Sequence, residues 1–187
     1  MKKILLTLSM TALVISGAIA QEISGGAKAG LNIANMTGDI PGVTSKASFH
    51  LGGYVNIGFS DVLSLQPELL YNAMGAKEDG GDGKINSAYI SVPVMVLYSF
   101  GVVNVQAGPQ FGFLLSAKVK ADGDEQDIKD QYKGTDFGFN LGLGADFGKF
   151  NAAARYCIGL SNIADASDID VKNSVIQFSL GVKLFGE

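Results

Sequence analysis

Eight segments of this 187-residue chain alternate apolar and polar residues, and the connections between them alternate in length. A period of two predicts β-strands rather than helices. The segments are 24–34, 47–59, 62–76, 85–99, 102–118, 135–147, 149–161 and 173–185. The short connections are 60–61, 100–101 and 148, and the long ones are 35–46, 77–84, 119–134 and 162–172. Long and short connections alternate strictly along the chain, beginning and ending with a long one. This order predicts an all-β, eight-stranded antiparallel up-and-down barrel with both termini at the short-turn end. Transmembrane barrels of the outer membrane have such short periplasmic turns and long extracellular loops.

The stretch Leu63–Asn72 shows most clearly how a strand of this chain divides into two faces. Leu63, Leu65, Pro67, Leu69 and Tyr71 fall on one side, and Ser64, Gln66, Glu68, Leu70 and Asn72 fall on the other. We expect Leu63, Leu65, Leu69 and Tyr71 to face lipid, and Gln66 and Glu68 to face the lumen. A carboxylate such as Glu68 in a strand interior needs a partner or a proton.

The polar face distinguishes a membrane barrel from a soluble one such as a lipocalin. A water-facing surface is rich in Lys, Glu and Asp, whereas this polar face consists mainly of Gly, Asn, Gln and Ser. Small uncharged residues suit a crowded lumen, so we favour the membrane barrel. Eight strands leave an interior that side chains fill, so we expect no open pore.

Few charges lie within the strands, and we predict that they form a polar network in the lumen. They are Lys28, Glu68, Asp146, Arg155 and Lys183. Our hypothesis is that Glu68 bonds Arg155 across the lumen, with Lys28 or Lys183 as competing partners. The network is interpreted as a structural polar plug, with a gated ion or proton path as the alternative.

Aromatic residues and prolines give two further expectations about the strands. Five phenylalanines at the ends next to short turns predict a periplasmic aromatic girdle. They are Phe59, Phe100, Phe147, Phe150 and Phe185. Pro67, Pro93 and Pro109 fall inside predicted strands, where we expect local bulges or nearby strand ends.

The N-terminus has the features of a secretory signal peptide. Lys2 and Lys3 precede an apolar run that ends in the small-residue site 18–20, so residues 1–20 are expected to be cleaved. The barrel domain would then be 21–187, and the formal net charge would change from -4 to -6. An acidic exported chain argues against nucleic acid as a partner. The single cysteine, Cys157, is interpreted as a packing residue.

Several short sequence motifs resemble those of the PorT-like outer-membrane β-barrel family. They are G-A-K-A-G-L-N-I-A-N at 26–35, L-Q-P-E-L-L-Y at 65–71, Y-I-S-V-P at 89–93, A-G-P-Q-F-G-F-L-L at 107–115, D-F-G-F-N-L-G-L-G at 136–144, A-R-Y-C-I-G-L-S-N-I at 154–163 and the closing Q-F-S-L-G-V-K-L-F. The resemblance covers nearly all of the chain after residue 20. It implies an eight-stranded outer-membrane barrel but no single activity, because the secretion role of PorT itself does not extend to every such barrel.

Function is expected to reside in the long loops, through a structural or surface-interaction role in the cell outer membrane. The expected partners are outer-membrane lipid and lipopolysaccharide, the barrel-assembly machinery for insertion, and an extracellular ligand held by the loops. The alternatives are a narrow channel, a secretion-accessory barrel, or an outer-membrane enzyme. His50, the only histidine, gives no catalytic set by itself. Ser48 and Ser91 are candidate nucleophiles beside it, but no geometry in the sequence supports either of them. We therefore expect no enzyme, no cofactor and no metal site, although acidic loops leave Ca²⁺ or Mg²⁺ bridging as an alternative.

Overall fold

The computed structural model describes residues 22–121, 124–166 and 169–186. Its strands are β1 Ile23–Gly38, β2 Val43–Thr44, β3 Lys46–Gly58, β4 Leu63–Glu78, β5 Lys84–Phe100, β6 Val103–Ala121, β7 Asp124–Asp127, β8 Thr135–Phe147, β9 Phe150–Gly159 and β10 Val171–Phe185. A short 3-10 helix occupies Lys129–Gln131. Among the described residues, no helix combines the length and apolarity needed to cross a membrane. The predicted signal peptide, 1–20, lies outside the described residues.

Eight of the strands close into a ring in which every neighbouring pair is antiparallel. The order is β4-β3-β1-β10-β9-β8-β6-β5, and the pairing of β4 with β5 completes it. The first long strand joins the last, with Ala27 opposite Val182 and Gly38 opposite Val171. The predicted up-and-down barrel is therefore confirmed, and β2 and β7 are short additions to β4 and β6.

The connections keep the predicted alternation of long and short, but several differ from the predicted bounds. Because β4 runs to Glu78 and β5 begins at Lys84, the connection expected at 77–84 has only five residues, 79–83. The backbone N–H of Glu78 donates to the carbonyl of Gly83, which closes this hairpin.

The two faces of each strand differ sharply in exposure. Outward residues such as Leu69, Leu143 and Leu180 are 59%, 59% and 72% exposed, whereas the inward Glu68 is only 3% exposed. A continuous belt of exposed large apolar side chains has no place in water but matches the lipid-facing surface of a membrane barrel. The division predicted for Leu63–Asn72 is confirmed.

The three prolines do not produce the bulges that we expected at their positions. The offset between the strands is the same on both sides of each proline, although one ladder lacks two pairs beside it, and the register shifts lie elsewhere, between Gly25 and Gly26 and between Ala88 and Tyr89. In each case the proline keeps a partner in one neighbouring strand: Pro67 pairs with Val94, Pro93 with Gln110 and Pro109 with Phe139. The expectation of bulges was wrong because a strand residue directs its backbone N–H to one side only. Losing that donor weakens one ladder and leaves the other intact.

The five phenylalanines of the predicted girdle are all exposed on the outer wall near the short-turn end. Their exposed fractions range from 52% for Phe185 to 66% for Phe150. The ring of Phe100 also packs against Tyr98, with the centroids 4.8 Å apart. Aromatic side chains in this position suit the boundary between lipid tails and water.

Candidate functional site

The carboxylate of Glu68 lies at the centre of the barrel interior and accepts four hydrogen bonds. Its Oε1 accepts from Lys28 Nζ at 2.8 Å, from Arg155 Nη2 at 2.7 Å and from Gln66 Nε2 at 2.6 Å, while its Oε2 accepts from Arg155 Nη1 at 2.9 Å. Arg155 therefore binds it with the forked geometry that is strongest for a carboxylate. The lysine joins the pair of Glu68 and Arg155 instead of competing with it.

A relay of amides links this cluster to Asp146. Arg155 Nε donates to Gln106 at 2.7 Å, Gln106 Nε2 donates to Asn104 at 2.7 Å, and Asn104 Nδ2 donates to Asp146 at 2.7 Å. Asn104 was missing from the predicted network, although it alternates in phase with Gln106 along the same strand and could have been included on that basis.

Lys183 does not reach Glu68. It lines a polar cavity of about 210 Å³ at the short-turn end, together with Asp146 and Asn151. Thus the structure brings together Lys28, Glu68 and Arg155, connects Asp146 through amides, and places Lys183 at the mouth of the lumen. Buried charges persist only when paired and hydrogen-bonded, and the three central residues satisfy that requirement.

His50 is the centre of a second polar cluster. Its Nδ1 lies 2.9 Å from Asn32 Oδ1, and its Nε2 lies 2.9 Å from Ser179 Oγ. Gln177 Nε2 donates to both Asn32 and Asn72 at 3.2 Å. A side chain at Gly30 would meet the His50 ring, since an added Cβ would lie 2.7 Å from it.

The hydrogen-bonded series Ser179, His50 and Asn32 resembles a hydrolytic triad. All three side chains are buried, however, as in a structural network. Ser179, His50 and Asn32 are 3%, 1% and 0% exposed, so no substrate carbonyl reaches the hydroxyl. Neither serine named from the sequence bonds His50. Ser48 Oγ donates to the carbonyl of Ala73 at 2.7 Å, and the buried Ser91 hydroxyl has no partner within the described residues.

Two apolar clusters fill the lumen at the long-loop end. The first contains Ala34, Met74, Tyr89, Leu114, Ala117, Cys157 and Val175, and the second contains Met36, Ala76, Ile163 and Val171. Tyr132, from the connection between β7 and β8, packs against both. Loop residues thus complete a closed apolar cap above the polar interior, and Cys157 is one of its buried packing residues.

The acidic loop residues are held by local contacts. Glu125 pairs with Lys118 at 2.5 Å and Asp170 with Lys172 at 2.9 Å. The hydrogen bond from Lys118, with its positive charge, lowers the pKa of Glu125. In the part of the chain that the structure describes, no three His, Cys, Asp or Glu side chains are grouped as metal ligands would be.

Comparison with known proteins gives a family match and structural neighbours. The family described as outer membrane protein beta-barrel domain matches residues 19–165. The chain is similar to Ail, the attachment invasion locus protein of Yersinia pestis, solved in complex with the heparin analogue sucrose octasulfate. The identity is 17%, with 87% of this chain and 99% of that chain covered and a TM-score of 0.54. Neisserial surface protein A is 14% identical, with 86% and 97% covered and a TM-score of 0.53. These likenesses show the fold. No curated protein sequence matches the chain.

Proposed function

Because the chain belongs to the outer membrane protein beta-barrel domain family, we propose that it is a closed outer-membrane barrel that displays its long-loop end as an interaction surface. Its short turns and termini face the periplasm, and residues 1–20 direct its export. The barrel-assembly machinery inserts it, and lipid and lipopolysaccharide surround it.

The observation that carries this proposal is the filled lumen. The Glu68 carboxylate and its three donor side chains occupy the middle of the barrel. The apolar clusters around Met74 and Ile163 close the long-loop end. An ion would have to break buried ion pairs and then cross an apolar cap, so conduction is unfavourable.

A row of lysines gives the long-loop end a surface for anionic ligands. Lys84 lies directly opposite both Lys77 and Lys120 on adjacent strands, and all three are exposed. Like charges at paired positions destabilise a sheet, which makes an anionic partner favourable. The heparin analogue bound by Ail supports a sulfated polysaccharide as the ligand class.

Two measurements on the refolded protein test the proposal. In planar bilayers we expect no stable single-channel steps, and such steps would overturn the closed-barrel function. On immobilised heparin we expect salt-sensitive retention that falls for Lys77→Gln/Lys84→Gln. The control Lys149→Gln/Lys183→Gln removes the same charge at the short-turn end. Equal retention of both variants would refute the lysine row as the binding surface.

The finer resemblance to PorT-like barrels supports a secretion-accessory barrel or a narrow channel as a second candidate. The polar cavity of about 210 Å³ at the short-turn end is the feature that favours it, since it gives a periplasmic partner or ion an entrance. A secretion defect after deletion would favour this candidate over surface interaction. An enzymatic role is the third candidate, and the burial of Ser179 and His50 counts against it.

A further inference from the structure

The barrel wall has an opening between β3 and β4 near the long-loop end. The ladder between these strands runs from Gly58 opposite Ser64 to His50 opposite Asn72 and then stops. Residues 46–49 of β3 have no cross-strand partner in β4, and β2 takes over the pairing only at Val43 and Thr44. Backbone pairing is therefore missing here, and Ser48 Oγ spans the gap by donating to the carbonyl of Ala73 at 2.7 Å.

Lys46 is the side chain that uses this opening. Its Nζ donates to the Oδ1 of Asn86, which lies on β5 beyond β4. Asn86 is the cross-strand partner of Lys118 on β6, so this bond brings Lys46 and Lys118 to the same part of the wall. Lysines from two distant strands thus lie in the same part of the wall, in a chain with a formal net charge of -4.

A cavity of about 310 Å³ opens at this point, and we call it the wall niche. Lys46, Lys118, Ser87, Ser116, Phe49 and Tyr71 contribute to its lining. The buried hydroxyl of Ser87 has no hydrogen-bond partner within the described residues. The rings of Phe49 and Tyr71 pack with their centroids 5.8 Å apart. Two lysines, two serines and an aromatic pair thus line the same cavity.

We propose that the wall niche binds the phosphorylated sugar headgroup of an outer-leaflet glycolipid, which is the chemistry of the lipid A part of lipopolysaccharide. Lys46 and Lys118 donate to a phosphate oxygen, and an acyl chain lies against Phe49 and Tyr71. Charge-assisted bonds to phosphate are strong, and Phe49 is 48% exposed on the lipid-facing wall. A soluble anion would use the cations but not the aromatic pair.

One carboxylate bonds a lysine of the niche and sets a second expectation. Glu125 Oε1 bonds Lys118 Nζ at 2.5 Å and therefore competes with a phosphate for the same ammonium group. Removing this charge should strengthen phosphate binding, whereas a purely structural lysine pair would not respond in that direction. The inference rests on the outer-membrane placement of the barrel and is independent of the ligand that the loops hold.

The test is native mass spectrometry of the detergent-purified protein with bis-phosphorylated lipid A, dephosphorylated lipid A and phosphatidylglycerol. We expect Lys46→Gln/Lys118→Gln to bind bis-phosphorylated lipid A about tenfold more weakly and Glu125→Gln to bind it more tightly. Lys129→Gln/Lys133→Gln is the matched control, because it removes two exposed lysines from the same end of the barrel. Heat-dependent migration on gels establishes that each variant is folded.

Three results would overturn the inference. The first is equal binding of lipid A by the niche variant and the control variant. The second is equal binding of lipid A with and without phosphate. The third is binding of phosphatidylglycerol as strong as that of bis-phosphorylated lipid A, because the niche would then attract any anionic lipid and not recognise a glycolipid. If Lys46→Gln/Lys118→Gln does not fold, an unchanged affinity of Glu125→Gln refutes the inference alone. None of these results alters the conductance or heparin measurements.

Discussion

Replacing Glu68 by glutamine is the sharpest test of how the barrel interior is held together. The side chain keeps its size, but the cluster loses its only carboxylate. Lys28 and Arg155 then remain buried beside each other without a counter-charge, and the new amide group directs a donor at one of them. Breaking a buried pair in this way costs about 3–5 kcal/mol.

Replacing Lys28 and replacing Arg155 should lower the free energy of unfolding by different amounts, because the cluster holds two cations for one carboxylate. Lys28→Met leaves the forked pair of Arg155 and Glu68, which is neutral, so we expect the smallest loss of stability. Arg155→Met leaves Lys28 to neutralise Glu68 but deprives Gln106 of its donor, and a buried acceptor without a partner costs about 1–3 kcal/mol. The expected order of destabilisation is Glu68→Gln, then Arg155→Met, then Lys28→Met.

Urea unfolding of the refolded protein in detergent measures these free energies of unfolding. In the double variant Glu68→Gln/Arg155→Met the losses should not add, with a coupling energy of about 0.5–3 kcal/mol. Lys183→Met is the control, since this inward residue lies outside the cluster. Additive losses, or a cost for Lys28→Met equal to that of Glu68→Gln, would refute the argument from charge balance.

Two further predictions concern the long-loop end. Ile163 is fully buried in the apolar cap, so Ile163→Ala should lower the free energy of unfolding by about 2–4 kcal/mol. The control is Ile169→Ala at an exposed position, which should change this free energy by less than about 0.5 kcal/mol. Equal effects of the two substitutions would contradict the packing of the cap. Because Lys118 lowers the pKa of Glu125 in the folded state, the β6–β7 hairpin should be stabilised above the unfolded pKa of this carboxyl and lose that support as the pH falls through the folded one. Hydrogen exchange of residues 124–127 should show this acid-side loss in the wild type and not in Glu125→Gln, and identical pH profiles would argue against the ion pair.

The strands were predictable because their signal is local. The segment predicted at 135–147 is β8 without change, and 173–185 differs from β10 by two residues at one end. Each residue of a barrel strand faces either lipid or the lumen, so apolar and polar residues alternate along every strand. The same parity placed Glu68 and Arg155 inside, and their opposite charges identified them as partners.

Other features depend on which strands become neighbours, and these were not predictable. Parity places Asn104 and Gln106 on the inner face, but nothing in their spacing from Arg155 indicates that the three side chains form one relay toward Asp146. The same holds for Lys46, whose contact with Asn86 exists because the β3–β4 ladder ends early. A one-residue change of register would send each of these side chains to the opposite face.

The amino-acid sequence by itself determined that this chain forms a closed ring of antiparallel strands with an apolar outside and a small, polar inside. Alternation and connection length act over neighbouring residues, and the first such strand must pair with the last for the ring to close. Only the tertiary structure decided that Lys28 joins Glu68 and Arg155, that loop residues such as Ile163 cap the lumen, and that the wall opens beside Lys46. Those outcomes depend on the stagger between strands, which many side-chain contacts set together.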